Sequence, residues 1–176
     1  RAEFATILYR LADQYISAAA FTGHTGAGSV LSGDADLSGV QMGTIWFDQS
    51  ASNIRLTDVT AKQVTVRSDQ LTSLAISGTG EISRLVLAAR SGDIMLDLPD
   101  SCPVSTVSVG DGSGTISFSG TTSAMEITGQ HRTVNVNCSL DALVISGSDC
   151  SVTVKKGCSI RNLTVLGTGN TVTLDG

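Results

Sequence analysis

The chain has 176 residues, only 15% of them charged, and a formal net charge of −5. Its eleven Lys and Arg residues are scattered, with Lys155-Lys156 the one adjacent pair, which argues against nucleic acid as a partner because phosphate neutralisation needs clustered cations. No apolar run reaches the length of a membrane-spanning helix. Nineteen glycines and two prolines, amid abundant Val, Ile, Leu, Ser and Thr, describe many short strands joined by tight turns.

In chain order the first predicted element is an amphipathic helix over residues 2–19. Phe4, Ile7, Leu8, Leu11 and Tyr15 fall on one face at helical spacing. Such a helix suits a cap over the apolar end of whatever follows. Residues Arg1-Ala2-Glu3-Phe4-Ala5-Thr6-Ile7-Leu8-Tyr9-Arg10-Leu11-Ala12 also resemble the closing helix of an S-layer homology repeat. In that family the helix follows a Thr-Arg-Ala-Glu motif, and the repeats anchor proteins to bacterial cell-wall polysaccharide. Arg1 and Glu3 stand at the motif's Arg and Glu; its Thr and the first half of the repeat are not in the sequence. The resemblance implies a bacterial cell-surface protein whose sequence starts just inside its anchor, and the absence of an initial Met fits a fragment or processed product. Residues 1–20 are therefore read as a cap or anchor remnant. Residues 21–39, rich in Gly and Ser, are read as a linker or irregular lead-in coil.

From residue 40 to 176 the chain repeats. Apolar–x–apolar triplets begin at Ile45, Val64, Leu85, Val107, Met125, Leu143 and Leu163, and second triplets at Ile54, Leu74, Ile94, Ile116, Val134, Val152 and Val172. A third column stands three residues ahead of each first triplet: Met42, Ala61, Ile82, Val104, Thr122, Leu140 and Ile160. Alternation within each triplet marks a strand with one buried face. Coils of about twenty residues cannot bury their apolar faces alone, so they must stack. The pattern predicts an all-β, right-handed, three-sided parallel β-helix of about seven coils, the hand following from the crossover rule for parallel strands. A β-sandwich would give no reason for the fixed offset between triplets. This part of the chain resembles bacterial cell-surface parallel β-helix repeat proteins.

The middle residue of each triplet should face solvent. On the second side the last four coils then expose two rows: Thr115 and Ser117, Thr133 and Asn135, Ser151 and Thr153, Thr171 and Thr173. Ordered hydroxyls on a flat solenoid face are what ice-binding proteins display, and they suit glycan hydroxyls equally; plain β-propensity also explains them. Cys102, Cys138 and Cys158 occupy one inward position, two residues ahead of the third column. Cys138 and Cys158 fall on adjacent coils, either as stacked buried thiols or as a disulfide. Two distant histidines and no Cys-x-x-Cys pair predict no metal and no cofactor.

Carbohydrate-cleaving β-helix enzymes need carboxylates on neighbouring coils, about 5–10 Å apart. Glu126 has Ser108 and Val144 as coil neighbours, and Glu81 has Thr60 and Pro103, so no such pair is present. The reading is a non-catalytic extracellular structural or adhesin-like module of a bacterial cell surface, contacting cell-wall or host polysaccharide. A β-helix polysaccharide lyase or glycoside hydrolase is the alternative. The final coil, with inward Leu163, Val165, Val172 and Leu174, has nothing after it but Asp175 and Gly176. Further coils, or another chain, are expected to cover it.

Overall fold

The structure is a computed structural model and describes residues 20–22, 25–89 and 93–175. Among these residues every regular element is a strand, and the strands stack in parallel into a right-handed β-solenoid of about seven turns. The helix expected over 2–19 lies outside the described residues.

Each turn contributes one long and one short strand. The long ones are β2 (Thr25–Leu31), β4 (Gln41–Phe47), β6 (Thr60–Val66), β8 (Glu81–Leu87), β10 (Val104–Val109), β12 (Thr122–Ile127), β14 (Leu140–Ile145) and β16 (Ile160–Val165). They form one eight-stranded sheet in that order. The short ones are β1 (Ala20–Thr22), β3 (Ala35–Ser38), β5 (Asn53–Thr57), β7 (Ser73–Ser77), β9 (Ile94–Leu98), β11 (Thr115–Gly120), β13 (Thr133–Asn137), β15 (Ser151–Val154) and β17 (Thr171–Leu174).

Alternation slips once inside each long strand from β4 to β14. In β4, Met42, Ile45 and Phe47 are buried, with half-buried Gly43 and Thr44 between the first two. In β8 the buried set is Ile82, Leu85 and Leu87. A flat strand puts every second residue inside, so a step of three requires a bend. Pairing of β4 with β6 skips Gly43 and Lys62 at that point. Two of the three predicted sides are thus one continuous bent strand, and the third column is its leading half.

Two sequence readings change. The second column does not make one seven-stranded row: β1, β3, β5 and β7 form a four-stranded sheet, and β9 to β17 a separate five-stranded one. The break lies between Leu74 and Ile94, beside the coil whose triplets are offset by ten residues instead of nine. The Gly/Ser-rich stretch before residue 40 also carries strands of the solenoid. Leu31 pairs with Phe47, and Leu37, which is buried, with Leu56. The repeat is hidden there because Ser29 stands where later coils have Ile45 and Val64, and Val30 faces outward, largely exposed.

The corner after the long strands is built on stacked glycines. A Cβ on Gly147 would lie 1.8 Å from the carbonyl oxygen of Gly129, and one on Gly167 1.8 Å from that of Gly147. Backbone of the preceding turn fills the space a side chain would need. In the same turns His131 and Asp149 take positive φ of 54° and 56°, a conformation that side chains adopt at a cost of about 1–3 kcal/mol.

The core is a set of ladders, one inward residue per turn. Leu96, Phe118, Val136 and Val154 pair in sequence across β9, β11, β13 and β15, all buried. One inward position carries a charge. Arg132 is 0% exposed; its Nη1 donates to the carbonyls of Ala89 (3.2 Å) and Ser113 (3.1 Å), while Nε and Nη2 have no partner among the described residues. Burial pushes the guanidinium below its ordinary pKa, opposed by Cys150 and Asp111 nearby.

Two outcomes follow. Phe118→Ala should cost about 3–5 kcal/mol in a urea melt, as full burial demands; a loss under about 1 kcal/mol would place that side chain outside the core. Arg132→Met keeps the length of the apolar stem and removes a desolvated charge. It should leave stability unchanged or raise it by up to about 2 kcal/mol. A loss beyond about 2 kcal/mol would show that the two carbonyl hydrogen bonds outweigh desolvation.

Candidate functional surfaces

The structure brings the eight predicted surface residues together. On the five-stranded sheet Thr115 pairs with Thr133, Thr133 with Ser151 and Ser151 with Thr171. In the second row Ser117 pairs with Asn135, Asn135 with Thr153 and Thr153 with Thr173. Neighbours along a row are one strand spacing apart, about 4.8 Å, and the rows are about 7 Å apart. Thr133, Ser151, Thr171 and Thr173 are exposed; Thr115, Ser117, Asn135 and Thr153 are half-buried. The Asn135 amide donates to Ser117 Oγ at 3.1 Å, fixing part of the second row. That row continues into Met95 on β9, 81% exposed. The face is a grid of donors and acceptors with an apolar border.

Cys138 and Cys158 are free thiols, as are Cys102 and Cys150. Both lie outside the strands, in the segments just ahead of β14 and β16, with Cys138 buried and Cys158 half-buried. Burial, with Cys158 beside it, pushes the Cys138 thiol up to about 11. Cys138 therefore stays protonated and packs as a small apolar group.

The carboxylates of the turns are staples between coils. Asp34 accepts from the Ser52 and Asn53 backbone amides (2.8 and 2.7 Å), from Ser52 Oγ (2.8 Å) and from Asn53 Nδ2 (2.9 Å). Asp93 accepts from Thr115 N, Asp111 from Gln130 N, and Asp58 from both Thr79 N and its hydroxyl. Glu126 pairs with Arg84 at 2.5 Å, spanning two turns. Among the described residues no group of His, Cys, Asp and Glu is arranged to hold a metal ion. A hollow of about 430 Å³ over the four-stranded sheet is lined by Asp34, Asp36, Asn53, Arg55 and Ser73 among others. Two of these, Asp36 and Arg55, face each other at 3.7 Å, and Asp34 is committed to its staple.

The outer face of the eight-stranded sheet departs from the sequence reading. Thr65 and Ser108 are outward middle residues, yet they are only 5% and 4% exposed. Larger neighbours on the same face are the reason. The Gln63 amide donates to Thr65 Oγ1 at 3.0 Å, and Arg67 lies 5.0 Å over the Trp46 ring, with Trp46 paired directly to Thr65. Arg84 pairs with Thr106, whose neighbour Ser108 pairs with Glu126, so the Arg84–Glu126 ion pair bridges across this turn. Beside the Trp46–Arg67 pair runs a groove of about 520 Å³, with Thr65, Val86, Ala88 and Gly110 among its lining and Gln49, Gln63, Asp69 and Asp111 around them. The sequence carries the signal for it: Trp46 is the middle residue of the triplet that begins at Ile45, and Arg67 follows Thr65 by two residues on the same side. The small residues between them acquire meaning only once the strands are stacked.

A family model described as Toastrack DUF4097 matches residues 27–142, from β2 into β14. Comparison with curated proteins and with solved structures gives no match.

The Asp34 staple makes a pH prediction. Its hydrogen bonds to Asn53 and then Ser52 hold the carboxyl well below the usual carboxylate range, and burial opposes them. A depressed folded pKa contributes stability above the unfolded pKa of about 4, and that contribution is lost as pH falls through the folded value. Asp48 is shifted the same way: burial works against it, but bonds from Ser32 and Ser50 prevail. Asp34→Ala should lower Tm at neutral pH, and its gap to the parent should narrow as pH falls below about 4. A gap that stays constant would show that the side chain acts other than as an anion.

Proposed function

This chain belongs to the Toastrack DUF4097 family, and from that premise we propose that it is a non-catalytic structural or adhesin-like module of a bacterial cell-surface protein, working outside the cell. It is a β-solenoid scaffold; the task proposed for it is to hold flat polar faces at fixed spacing toward polysaccharide of a cell wall or host. The observation that carries this reading is the hydroxyl and amide grid of the five-stranded sheet, eight side chains in two rows locked in register by the backbone. Glycan hydroxyls need paired donors and acceptors, and Ser, Thr and Asn supply both.

The same reading gives the last turn a partner. Leu163, Val165 and Leu174 are 49%, 44% and 70% exposed, although their counterparts in earlier turns are buried. A second chain seated on that end would cover them and satisfy the open strand edges of β16 and β17. No helix among the described residues is long and apolar enough to cross a membrane.

Carbohydrate cleavage is the rival reading, and one experiment separates the two. A polysaccharide array should be read for both retention of the protein and release of reducing or unsaturated ends. The proposal expects retention without cleavage, and loss of retention in a Thr133→Lys, Thr153→Lys double variant. Released ends above a buffer control, or retention unaffected by the double variant, would overturn it.

A further inference from the structure

We propose that the groove on the eight-stranded sheet is a binding site for a neutral oligosaccharide chain lying along the solenoid axis, separate from the hydroxyl grid. The groove reaches from Trp46 on β4 to Thr128, just beyond β12. That is four strand spacings, about 19 Å, enough for several sugar rings laid end to end. Its volume of about 520 Å³ is within the ~300–1,000 Å³ of ordinary ligand sites. The site is built from side chains held in place, not from a chance dip in the surface. Gln63 is tied to Thr65, Arg67 is stacked on Trp46, and Asp111 is fixed by the Gln130 amide.

The lining selects the ligand class. Trp46 is 36% exposed and offers a rigid apolar surface with a polar N–H, the kind of group that meets a sugar ring's C–H face. Gln49 and Gln63 carry both donors and acceptors, and the Thr65 and Thr128 hydroxyls, bonded to Gln63 and to the Val109 carbonyl, keep further lone-pair capacity, as hydroxyl-rich ligands require. One guanidinium, Arg67, is set against two carboxylates, Asp69 and Asp111. That balance disfavours a polyanion, whether an acidic glycan or a nucleic acid, because both demand an excess of cations. An extended peptide would gain main-chain hydrogen bonds at a sheet edge. On this face the backbone groups of β4 to β12 are already paired to one another. Low-lying Ala88 and Gly110 leave room for rings that a bulkier floor would exclude.

The inference rests on the scaffold reading but not on the grid, and its test is independent of the grid. Trp46 is the chain's sole tryptophan, so its emission reports occupancy of the groove. The full chain should be titrated with cellohexaose, xylohexaose, mannohexaose and chitohexaose, and with polygalacturonate and an extended neutral peptide as contrasting probes. At least one neutral hexasaccharide should shift the emission saturably. Calorimetry should show that Gln63→Ala weakens that binding about tenfold, and that Ala88→Phe, which fills the groove while keeping Trp46, abolishes it. Circular dichroism verifies the fold of each variant. The Thr133→Lys, Thr153→Lys variant should titrate like the parent, so failure of the grid leaves this result standing. No shift with any neutral hexasaccharide, a shift with polygalacturonate or the peptide alone, or a shift that persists in folded Ala88→Phe would overturn the assignment.

Discussion

Everything in this molecule depends on stacking one turn on the next in register. A single turn has its inward residues in one plane, with nothing above or below to exclude water. Leu96, Phe118, Val136 and Val154 bury one another only because β9, β11, β13 and β15 pair without a slip. Backbone hydrogen bonds fix that register, and apolar burial supplies the driving force. A shift of one residue would turn every inward side chain out. The same register sets the outer surface, since a row of outward residues is straight only if the inner ladder is.

Corners are where the register is defended. Strands tolerate many side chains, but a corner in which one turn's carbonyl occupies the next turn's Cβ position tolerates only glycine. Gly129, Gly147 and Gly167 hold such positions on three successive turns. Opposing them in character, the aspartates reach to the next turn's amides, as Asp34 does to Ser52 and Asn53. Each staple spans 18–22 residues in sequence and one turn in space. These acids could be mistaken for a ligand set in the sequence. The structure shows several of their oxygens already engaged by the neighbouring coil.

The strand pattern was legible because burial of an inward residue depends on its own identity and on the repeat. Ile116, Val134 and Val152 announce themselves one by one. What was not legible depends on neighbours a turn away. Thr65 and Ser108 look like exposed positions, and their burial comes from Gln63, Trp46, Arg84 and Glu126 on other strands or other rows. Arg132 looks like an ordinary polar corner residue following His131; only the turn's geometry puts it inside, against Ala89 and Ser113. The lead-in strands were hidden for the opposite reason. There the backbone pairs as elsewhere, but Ser29 and Val30 reverse the apolar pattern that reveals it. The break between β7 and β9 falls beside the one irregular offset, which the sequence displayed without saying what it would do.

The two outer faces are made by the same backbone and differ in kind. On the five-stranded sheet the outward residues from β11 onward are short: Ser, Thr and Asn across four turns. Short side chains on a flat sheet shelter one another only in part, so the face stays level. On the eight-stranded sheet large residues give way to small ones along the axis. Trp46 precedes Thr65, Arg67 precedes Ala88, and Ala88 precedes Gly110. That step down makes relief, and relief lets a surface desolvate part of a ligand while polar groups orient it. A level polar grid must compete with water at every contact, whereas a groove with an aromatic wall gains from excluding it. One solenoid can therefore carry a broad, weak contact face and a narrower, more selective one on different sides, with no change to the ladder between them.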